Sequence, residues 1–203
     1  MKVNTSGIVK VNQWIRVKPE YWYQAERYAD TIPDATAFYN QFNGPDQPVA
    51  GVNWYAAMAF CAWLREITGE RIHLPSEQQW QRAAQGDDGH KFPWGSTWKG
   101  FRCNNRIKPF TSDRTTPVYQ YEGLGDSPCG VVDMAGNEWE WCDTAWEDRA
   151  NDFYGRKTVR SRRGGSWRYY IPIYLRTTTR MARFATDAMA GFRIAHVKVT
   201  HNT

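Results

Sequence analysis

Cysteine and histidine are the residue types in this chain that could bind a metal ion or act as nucleophiles. The 203 residues include four of each: Cys61, Cys103, Cys129, Cys142, His73, His90, His196 and His201. No two cysteines stand in Cys-x-x-Cys spacing and the histidines are scattered, so the sequence predicts neither a zinc site nor a disulfide scaffold. We expect reduced thiols. Together with a polar N-terminus that lacks an apolar signal-peptide stretch, they predict a cytoplasmic location.

A run of basic residues is the second feature that could do chemistry, in this case by binding phosphate. Five basic residues fall within eight positions: Arg156, Lys157, Arg160, Arg162 and Arg163. The net charge is +5, from 26 basic and 21 acidic residues. The run is either a phosphate-binding patch or a solvated turn before a strand. No alternation of basic and aromatic residues of the RNA-binding kind accompanies it, which favours the turn, so nucleic acid is not the expected partner.

The composition is that of a chain that folds around a core. Hydrophobic residues make up 41% of the chain and charged residues 23%, and the 11 tryptophans are several times ordinary usage. No uninterrupted apolar run approaches the roughly 20 residues that a membrane helix needs. A membrane-spanning or disordered protein is therefore not predicted.

Two helices are predicted in the middle of the chain. The first covers residues 54–68, with Asn53 as its N-cap and Gly69 as its C-terminal stop. The second begins with a capping box at Ser76 and ends at Gly86. Both helices precede the stretches that carry most of the motifs described below.

The rest of the chain predicts loops and short strands. After Gly86, glycine, proline, asparagine and aspartate separate short apolar pieces, and the predicted strands are 166–170, about 175–183, and 191–199. One short helix is predicted at 35–42 within an otherwise irregular opening. Helices first and strands afterwards indicate an α+β domain.

Six short motifs follow one another along the chain. They are Gly-Val-Asn-Trp at 51–54, Leu-Pro-Ser-Glu at 74–77, Phe-Pro-Trp-Gly at 92–95, Asn-Glu-Trp-Glu-Trp at 137–141, Arg-Gly-Gly-Ser-Trp at 163–167 and Gly-Phe-Arg at 191–193. Together they resemble the formylglycine-generating-enzyme (sulfatase-modifying factor) domain family. The resemblance implies an α+β, C-type-lectin-like domain that is loop-rich, with two helices and short antiparallel strands. Its motif tryptophans are expected to fill the core rather than to line a ligand cage.

The resemblance also implies the domain organisation. We expect one domain over residues 1–203, in which 48–199 form the family-like core. Residues 1–47 lack the family's usual opening motifs and form a diverged or shortened opening. The alternative is that the chain is one piece of a larger signalling or defence protein, in which this domain is a sensor.

The family's oxidase chemistry is not expected here. Its enzymes use two cysteines, five residues apart, between the Arg-Gly-Gly-Ser and Gly-Phe-Arg motifs, and alignment places them at Leu175 and Arg180. A thiolate is what binds copper(I) in those enzymes, and neither leucine nor arginine can replace it. The sequence therefore predicts no copper and no oxidation of a sulfatase cysteine.

The resemblance implies a structural calcium ion. In the family, a calcium ion is held by a loop around the Asn-x-Trp-Glu-Trp motif, which here corresponds to the side chain of Asp133, the carbonyl groups of Gly136 and Glu138, and the side chain of Glu140. Such hard oxygen ligands suit Ca²⁺. The alternative is that Glu140 only caps the loop through hydrogen bonds to backbone N–H groups.

The C-terminal stretch predicts a ligand-binding surface. Some family members without the cysteines are variable proteins of diversity-generating retroelements, and Leu175, Arg176 and Arg180 resemble their fixed frame. The residues that correspond to ligand contacts are Arg168, Tyr169, Tyr170, Ile171, Ile173, Tyr174, Thr177, Thr178, Thr179 and Met181. Tyrosine gives a large, rigid contact area. The alternative is an ordinary strand pair, because Tyr, Ile and Thr also favour strands.

Two function classes remain from the sequence. The first is a binding module whose partner is an unidentified protein or other ligand, acting alone or in a larger assembly. The second is an enzyme of another kind on the same fold, such as the sulfoxide synthases that carry a similar domain. Against the second, the chain has no His-x-x-x-His, nucleophile elbow, P-loop or dinucleotide fingerprint.

Overall fold

Two helices and six short strands form the regular structure of the residues that the computed structural model describes, which are 44, 46–146, 159–185 and 190–197. In chain order they are α1 (Trp54–Thr68), β1 (Arg71–His73), α2 (Glu77–Gln85), β2 (Glu140–Ala145), β3 (Val159–Arg163), β4 (Arg180–Phe184), β5 (Gly191–Phe192) and β6 (Ala195–Val197). Short 3₁₀ turns occur at Gly100–Arg102 and Pro172–Leu175. The predicted α+β class is confirmed, and the helix expected at 35–42 lies outside the described residues.

Both predicted helices are confirmed together with the residues that cap them. The Asn53 side chain accepts a hydrogen bond from the Ala56 backbone, and Gly69 ends α1 in the left-handed conformation with φ 69°. At the start of α2, Ser76 and Gln79 form the complete capping box. These local polar groups satisfy the backbone donors that the first turn of a helix leaves without partners.

The strands form two sheets. The larger sheet has the order β4-β3-β2-β5, and a two-stranded sheet pairs β1 with β6. Three of the four pairings are antiparallel, but β2 and β5 run parallel, with Glu140 opposite Gly191 and Trp141 opposite Phe192. The expectation of antiparallel strands is therefore correct for all but this one pair.

The strand boundaries differ from those predicted. Residues 166–170 form a turn and irregular backbone, because the strand ends earlier, at Arg163, before two glycines. The predicted strand at 175–183 is shorter and later, as β4. Residues 193–194 interrupt the strand expected at 191–199, so that it forms β5 in one sheet and β6 in the other.

Tryptophan side chains hold the layers together. The apolar face of α1 packs against Trp139 and Trp141 in one cluster, and α2 contributes Trp80 to a second cluster. The Trp141 indole donates a hydrogen bond to the Val52 carbonyl at 2.9 Å. The tryptophans expected to fill the core are buried in five cases, Trp54, Trp63, Trp80, Trp139 and Trp141, and Trp94 is half-buried.

The four cysteines all lie in the described residues and are free. Cys61, Cys103 and Cys142 are buried, and burial raises the pKa of the Cys61 and Cys103 thiols to about 12. In the part of the chain that the structure describes, no helix has the length and apolar character needed to cross a membrane. The same residues include no group of three or more His, Cys, Asp and Glu side chains placed to hold a metal ion.

Candidate functional site

Two consecutive glycines determine the backbone direction of the segment between β3 and β4. Gly164 and Gly165 have φ of 95° and 78°, in the region that favours glycine. A Cβ atom on Gly165 would lie 2.5 Å from Leu175 Cδ2 and 2.6 Å from the Tyr174 carbonyl oxygen. Only glycine fits there, so the segment folds back tightly on itself and then enters the 3₁₀ turn at Pro172.

The ten residues predicted to contact a ligand differ in exposure. Five are exposed (Arg168, Tyr170, Ile171, Ile173, Thr178), four are half-buried (Tyr169, Tyr174, Thr179, Met181), and Thr177 is buried. The exposed fractions of Tyr170, Ile171 and Ile173 are 70%, 41% and 49%. We call these three residues the exposed apolar segment.

Tyr169 and Thr177 hold the segment in place. The Tyr169 ring packs edge-on against Trp139, with ring centroids 5.7 Å apart, and lies 4.4 Å from the Tyr174 ring. The Thr177 hydroxyl donates a 2.6 Å hydrogen bond to the His90 carbonyl, and its backbone N–H donates to the Lys91 carbonyl. Thr177 has no exposed surface, so its side chain is not placed to contact a ligand.

The two positions that align with the family's cysteines have structural roles. Leu175 is fully buried in a cluster with Cys103 and Ala135. The Arg180 guanidinium forms an ion pair with Glu77 and lies 3.9 Å from the Trp146 ring centre. A buried alkyl group and a paired guanidinium offer no ligand for a soft metal ion.

A buried carboxylate ties α2 to β3 and β4. Glu77 Oε1 accepts hydrogen bonds from Arg163 Nε at 2.7 Å and from Arg180 Nε at 3.0 Å. Its Oε2 accepts from Ser161 Oγ at 2.8 Å and from Arg180 at 2.5 Å. Arg163 also donates to the carbonyl group of Thr177. The backbone of the predicted ligand segment is therefore anchored to this buried network.

The basic run does not form the solvated turn that was expected. Arg160, Arg162 and Arg163 belong to β3, and Arg162 and Arg163 are only 2% and 4% exposed. Their charges are directed inward, to Glu77 and to aromatic rings, because the strand places them against the core. Arg156 and Lys157 lie outside the described residues.

The loop predicted to hold calcium has two residues in the left-handed conformation. Asp133 has φ 58° and Asn137 has φ 59°. The Asn137 amide donates a 2.7 Å hydrogen bond to the Asp133 carboxylate. This pair folds the loop so that Gly136 packs against the Asn104 backbone, whose carbonyl oxygen lies 2.1 Å from where a Cβ of Gly136 would be.

Three acidic side chains of this loop, Asp133, Glu138 and Glu140, are partly buried. Burial raises the pKa of Asp133 to about 7, partly opposed by its hydrogen bond from Asn137. Burial likewise raises the pKa of Glu138 to about 7, opposed by the backbone N–H of Trp139 and the charges of Arg168 and Arg162. Glu140 forms a two-point ion pair with the Arg193 guanidinium, and its Oε2 also accepts a 2.5 Å hydrogen bond from the Trp80 indole.

The donor set of this loop is compatible with a calcium ion. Among the described residues, no donor reaches the carbonyl oxygens of Gly136 and Glu138, and the Asp133 carboxylate accepts a bond only from Asn137. A carboxylate can accept about four bonds, and three reach Glu140, so one acceptor position remains there. Arg193 already supplies one positive charge to Glu140 and also donates a hydrogen bond to the Asp133 carbonyl group, so it reduces the loop's attraction for a cation.

A family model described as the sulfatase-modifying factor enzyme 1-like domain matches residues 8–198. The chain belongs to this family. The match extends into residues 1–47, where the sequence alone shows no family motif.

The curated relatives include formylglycine-generating enzymes, an inactive homologue of these enzymes, and protein kinases. The chain is 32% identical over 142 residues to a formylglycine-generating enzyme of Thermomonospora curvata, a match covering 66% of this chain and 42% of that protein. It is 31% identical over 163 residues to "Inactive C-alpha-formylglycine-generating enzyme 2" of Bos taurus, covering 76% and 46%. It is 35% identical over 135 residues to the serine/threonine-protein kinase Pkn1 of Chlamydia trachomatis, covering 60% and 19%. The chain thus spans less than half the length of each.

Solved structures of other proteins superpose on this chain over about three-quarters of its length. PvdO from Pseudomonas aeruginosa superposes with a TM-score of 0.63 at 24% identity, covering 77% of this chain and 64% of that one. Treponema denticola variable protein 1 superposes with a TM-score of 0.62 at 22% identity, covering 77% and 73%. At these identities the likeness establishes the fold, which is the predicted formylglycine-generating-enzyme type.

Proposed function

We propose that this domain is a non-catalytic ligand-binding module that contacts its ligand through the exposed apolar segment. The observation that carries the proposal is the exposure of Tyr170, Ile171 and Ile173 beside a fully buried Leu175. Adjacent large apolar side chains on a surface mark interaction sites. A tyrosine there provides contact area at low cost in conformational entropy.

The frame beneath these side chains supports the same role. Leu175 fills the core below the segment, and Thr177 is hydrogen-bonded to the loop at 90–91. Because these buried contacts fix the backbone of the segment, its exposed side chains can be substituted without loss of the fold. A surface that presents different side chains to different ligands requires this property.

We propose more specifically that the chain is the variable protein of a diversity-generating retroelement. The pattern Leu175-Arg176-x-x-x-Arg180, which resembles the invariant residues of such proteins, supports this origin. Its test is to sequence the DNA downstream of the gene. We expect a near-copy of the codons for about residues 163–193, differing mainly at adenines and lying beside a reverse transcriptase gene. The differences should fall at exposed positions such as Tyr170 and Ile173 and spare the buried Gly165 and Leu175. Differences that fall equally on buried codons, or no copy at all, would contradict the retroelement origin.

The purified protein is expected not to convert a sulfatase-peptide cysteine to formylglycine. Leu175 and Arg180 stand where the family's copper-binding thiolates would be, and Arg180 is held by Glu77. The measurement is mass spectrometry of the peptide after incubation with copper(I) and oxygen, with an active formylglycine-generating enzyme as positive control. Formation of the aldehyde above the level of a protein-free control would refute the non-catalytic assignment and favour the enzyme alternative.

We also propose that a structural calcium ion binds at Asp133, Glu140 and the carbonyl groups of Gly136 and Glu138. Bound calcium stabilises the folded state in proportion to the logarithm of its concentration over the Kd. We expect the Tm to fall on addition of chelator and to recover with excess Ca²⁺ but not with Mg²⁺. The variant Asp133→Asn should lose most of this response, and Asp126→Asn, outside the ligand set, should keep it. A Tm that does not respond to either chelator or Ca²⁺ would exclude the site.

The match to the chlamydial kinase supports a second candidate, a sensor domain within a larger signalling protein. That match covers only 19% of the kinase, so the domain is a small part of it. Reading the full gene around this sequence distinguishes the candidates. A kinase or other effector in the same open reading frame would support the sensor, whereas a reverse transcriptase in a neighbouring gene would support the display protein.

A further inference from the structure

A groove of about 830 Å³ lies along residues 106–120. None of the ten residues predicted to contact a ligand lines it, so the groove is separate from the exposed apolar segment. Its volume is far above that of a single inorganic anion, since a water molecule occupies only about 30 Å³ in the liquid. It falls within the roughly 300–1,000 Å³ that ligand-binding sites usually have. The groove can therefore hold several groups of one ligand at once.

Cationic side chains outnumber carboxylates in the groove. Among the described residues that line it, Arg106, Lys108 and Arg114 are cationic, and Asp113 alone carries a carboxylate. Asp113 is already paired, because its Oδ1 accepts a 3.0 Å hydrogen bond from Arg114 Nε. Within the part of the chain that the structure describes, neither the Arg106 nor the Lys108 side chain has a partner. Both are exposed, so two positive charges in the groove are open to a ligand.

Two buried asparagines fix the backbone that carries these charges. The Asn105 side chain accepts a 2.8 Å hydrogen bond from the Ile107 N–H, and its carbonyl group accepts one from the Ser112 N–H at 3.0 Å. At the other end of this stretch, the Arg114 carbonyl group accepts hydrogen bonds from the Asn104 amide at 2.9 Å and from the Ser112 hydroxyl at 2.8 Å. Both asparagines have no exposed surface. Because the backbone is fixed before a ligand arrives, less conformational entropy is lost on binding.

The neutral residues of the groove indicate which kind of anion it suits. Thr111 and Gln120 are exposed in the same lining. Hydroxyl and amide groups both donate and accept hydrogen bonds, and so complement the N–H and C=O groups of a peptide backbone. A nucleic-acid backbone presents phosphate acceptors, and the proteins that bind it commonly contact about 6–10 of them. Two open cations beside the negative charge of Asp113 therefore suit the separate carboxylates of an acidic polypeptide better than a continuous chain of phosphates.

We propose that this groove binds an acidic segment of a partner polypeptide. Carboxylate side chains of the segment pair with Arg106 and Lys108, and its peptide groups form hydrogen bonds with the neutral side chains of the lining. The Arg106 guanidinium can donate two parallel hydrogen bonds to one carboxylate, whereas the Lys108 ammonium acts as a point charge. This is a second binding site beyond the proposed function, and it does not depend on capture through the exposed apolar segment.

The test is fluorescence anisotropy with the whole chain and a labelled peptide of alternating glutamate and serine. The buffer has an ionic strength of about 0.15 M, at which charges more than about 8 Å apart are largely screened. We expect saturable binding of this glutamate peptide, and weaker binding both of the matched peptide with glutamine in place of glutamate and of a single-stranded oligothymidylate of the same net charge. Equal or tighter binding of either comparison ligand, or no saturable binding of the glutamate peptide, would overturn the inference.

Matched variants assign the binding to the groove. The double variant Arg106→Gln, Lys108→Gln should weaken binding of the glutamate peptide about tenfold, because each exposed ion pair contributes about threefold. The double variant Arg65→Gln, Lys91→Gln removes the same charge from exposed positions outside the groove and should leave the affinity unchanged. Asp113→Asn should tighten binding, because it removes a negative charge from the lining and frees the guanidinium group paired with it. Equal weakening in the two double variants would show general charge attraction and overturn the site.

The peptide assay separates this inference from the proposed function. Replacing the three residues of the exposed apolar segment by alanine should leave the affinity for the glutamate peptide unchanged, because none of them lines the groove. If that triple variant loses peptide binding, the acidic segment binds elsewhere and the inference fails. If the triple variant still captures the natural ligand while peptide binding depends on Arg106 and Lys108, the proposed contact surface alone fails.

Discussion

Replacing Glu77 by glutamine is expected to lower the free energy of unfolding by about 3–5 kcal/mol, the usual effect of removing one partner of a buried ion pair. The Glu77 and Arg163 side chains are only 7% and 5% exposed, and Arg180 is 31% exposed. The variant leaves two guanidinium groups without their buried counter-charge, and neither can release a proton. Urea unfolding should show a lower midpoint with an unchanged m-value.

The control for this prediction is Glu66→Gln. Glu66 is an exposed residue of α1, so the same change of charge there should alter the unfolding free energy by no more than about 0.5 kcal/mol. A loss below about 1 kcal/mol for Glu77→Gln would mean that the arginines find other partners or water. The Glu77 variant should also exchange the Thr177 amide hydrogen faster, because Arg163 links Glu77 to the Thr177 carbonyl.

The helices could be predicted because their signals are local. Asn53, Ser76 and Gly69 act on backbone groups within four residues of themselves, so the sequence contains the whole interaction. The strands could not be placed equally well. β3 has the sequence Val-Arg-Ser-Arg-Arg, which shows no apolar alternation and contains three charged residues. Its place in the sheet depends on partners far away in the chain.

The candidate site also has parts that could be predicted from the sequence and parts that could not. The motifs located the loop that is predicted to hold calcium and the segment that is predicted to contact a ligand, but not the charged groups that hold them. Glu77 pairs with Arg163 and Arg180 across 86 and 103 residues, and Arg193 pairs with Glu140 across 53. Charged residues are mostly exposed, so no single-sequence pattern identifies the few that are buried. The one signal available was that Glu77, Glu140, Arg163 and Arg193 each belong to a motif.

The exposure of individual side chains in the predicted ligand-contact segment also could not be predicted from the sequence. Tyr169 and Tyr170 are neighbours of the same type, yet one packs against Trp139 and the other is 70% exposed. The irregular backbone of this segment has no period of two or of 3.6, so side-chain direction follows no simple alternation. Only the structure shows which of these tyrosines is exposed.

Replacing Tyr170, Ile171 and Ile173 together by alanine is expected to abolish capture of the natural ligand with little change in Tm. Exposed residues that make few contacts cost about 0.5 kcal/mol or less each when truncated. In contrast, Tyr169→Ala should lower the unfolding free energy by about 2 kcal/mol, because it removes a half-buried ring packed against Trp139. Capture is measured by cross-linking in the producing cells with mass spectrometry, and Tm by circular dichroism.

The matched control is the double variant Ile67→Ala, Leu124→Ala. These residues are 48% and 47% exposed, close to the values for Ile171 and Ile173, but lie on α1 and in the loop after the first 3₁₀ turn. If the control loses capture as well, the interaction depends on general apolar exposure and not on this segment. If the triple variant instead unfolds the domain, the three side chains belong to the core in solution and the contact surface must lie elsewhere. Only loss of capture by a folded triple variant, with capture retained by the control, assigns recognition to the exposed apolar segment.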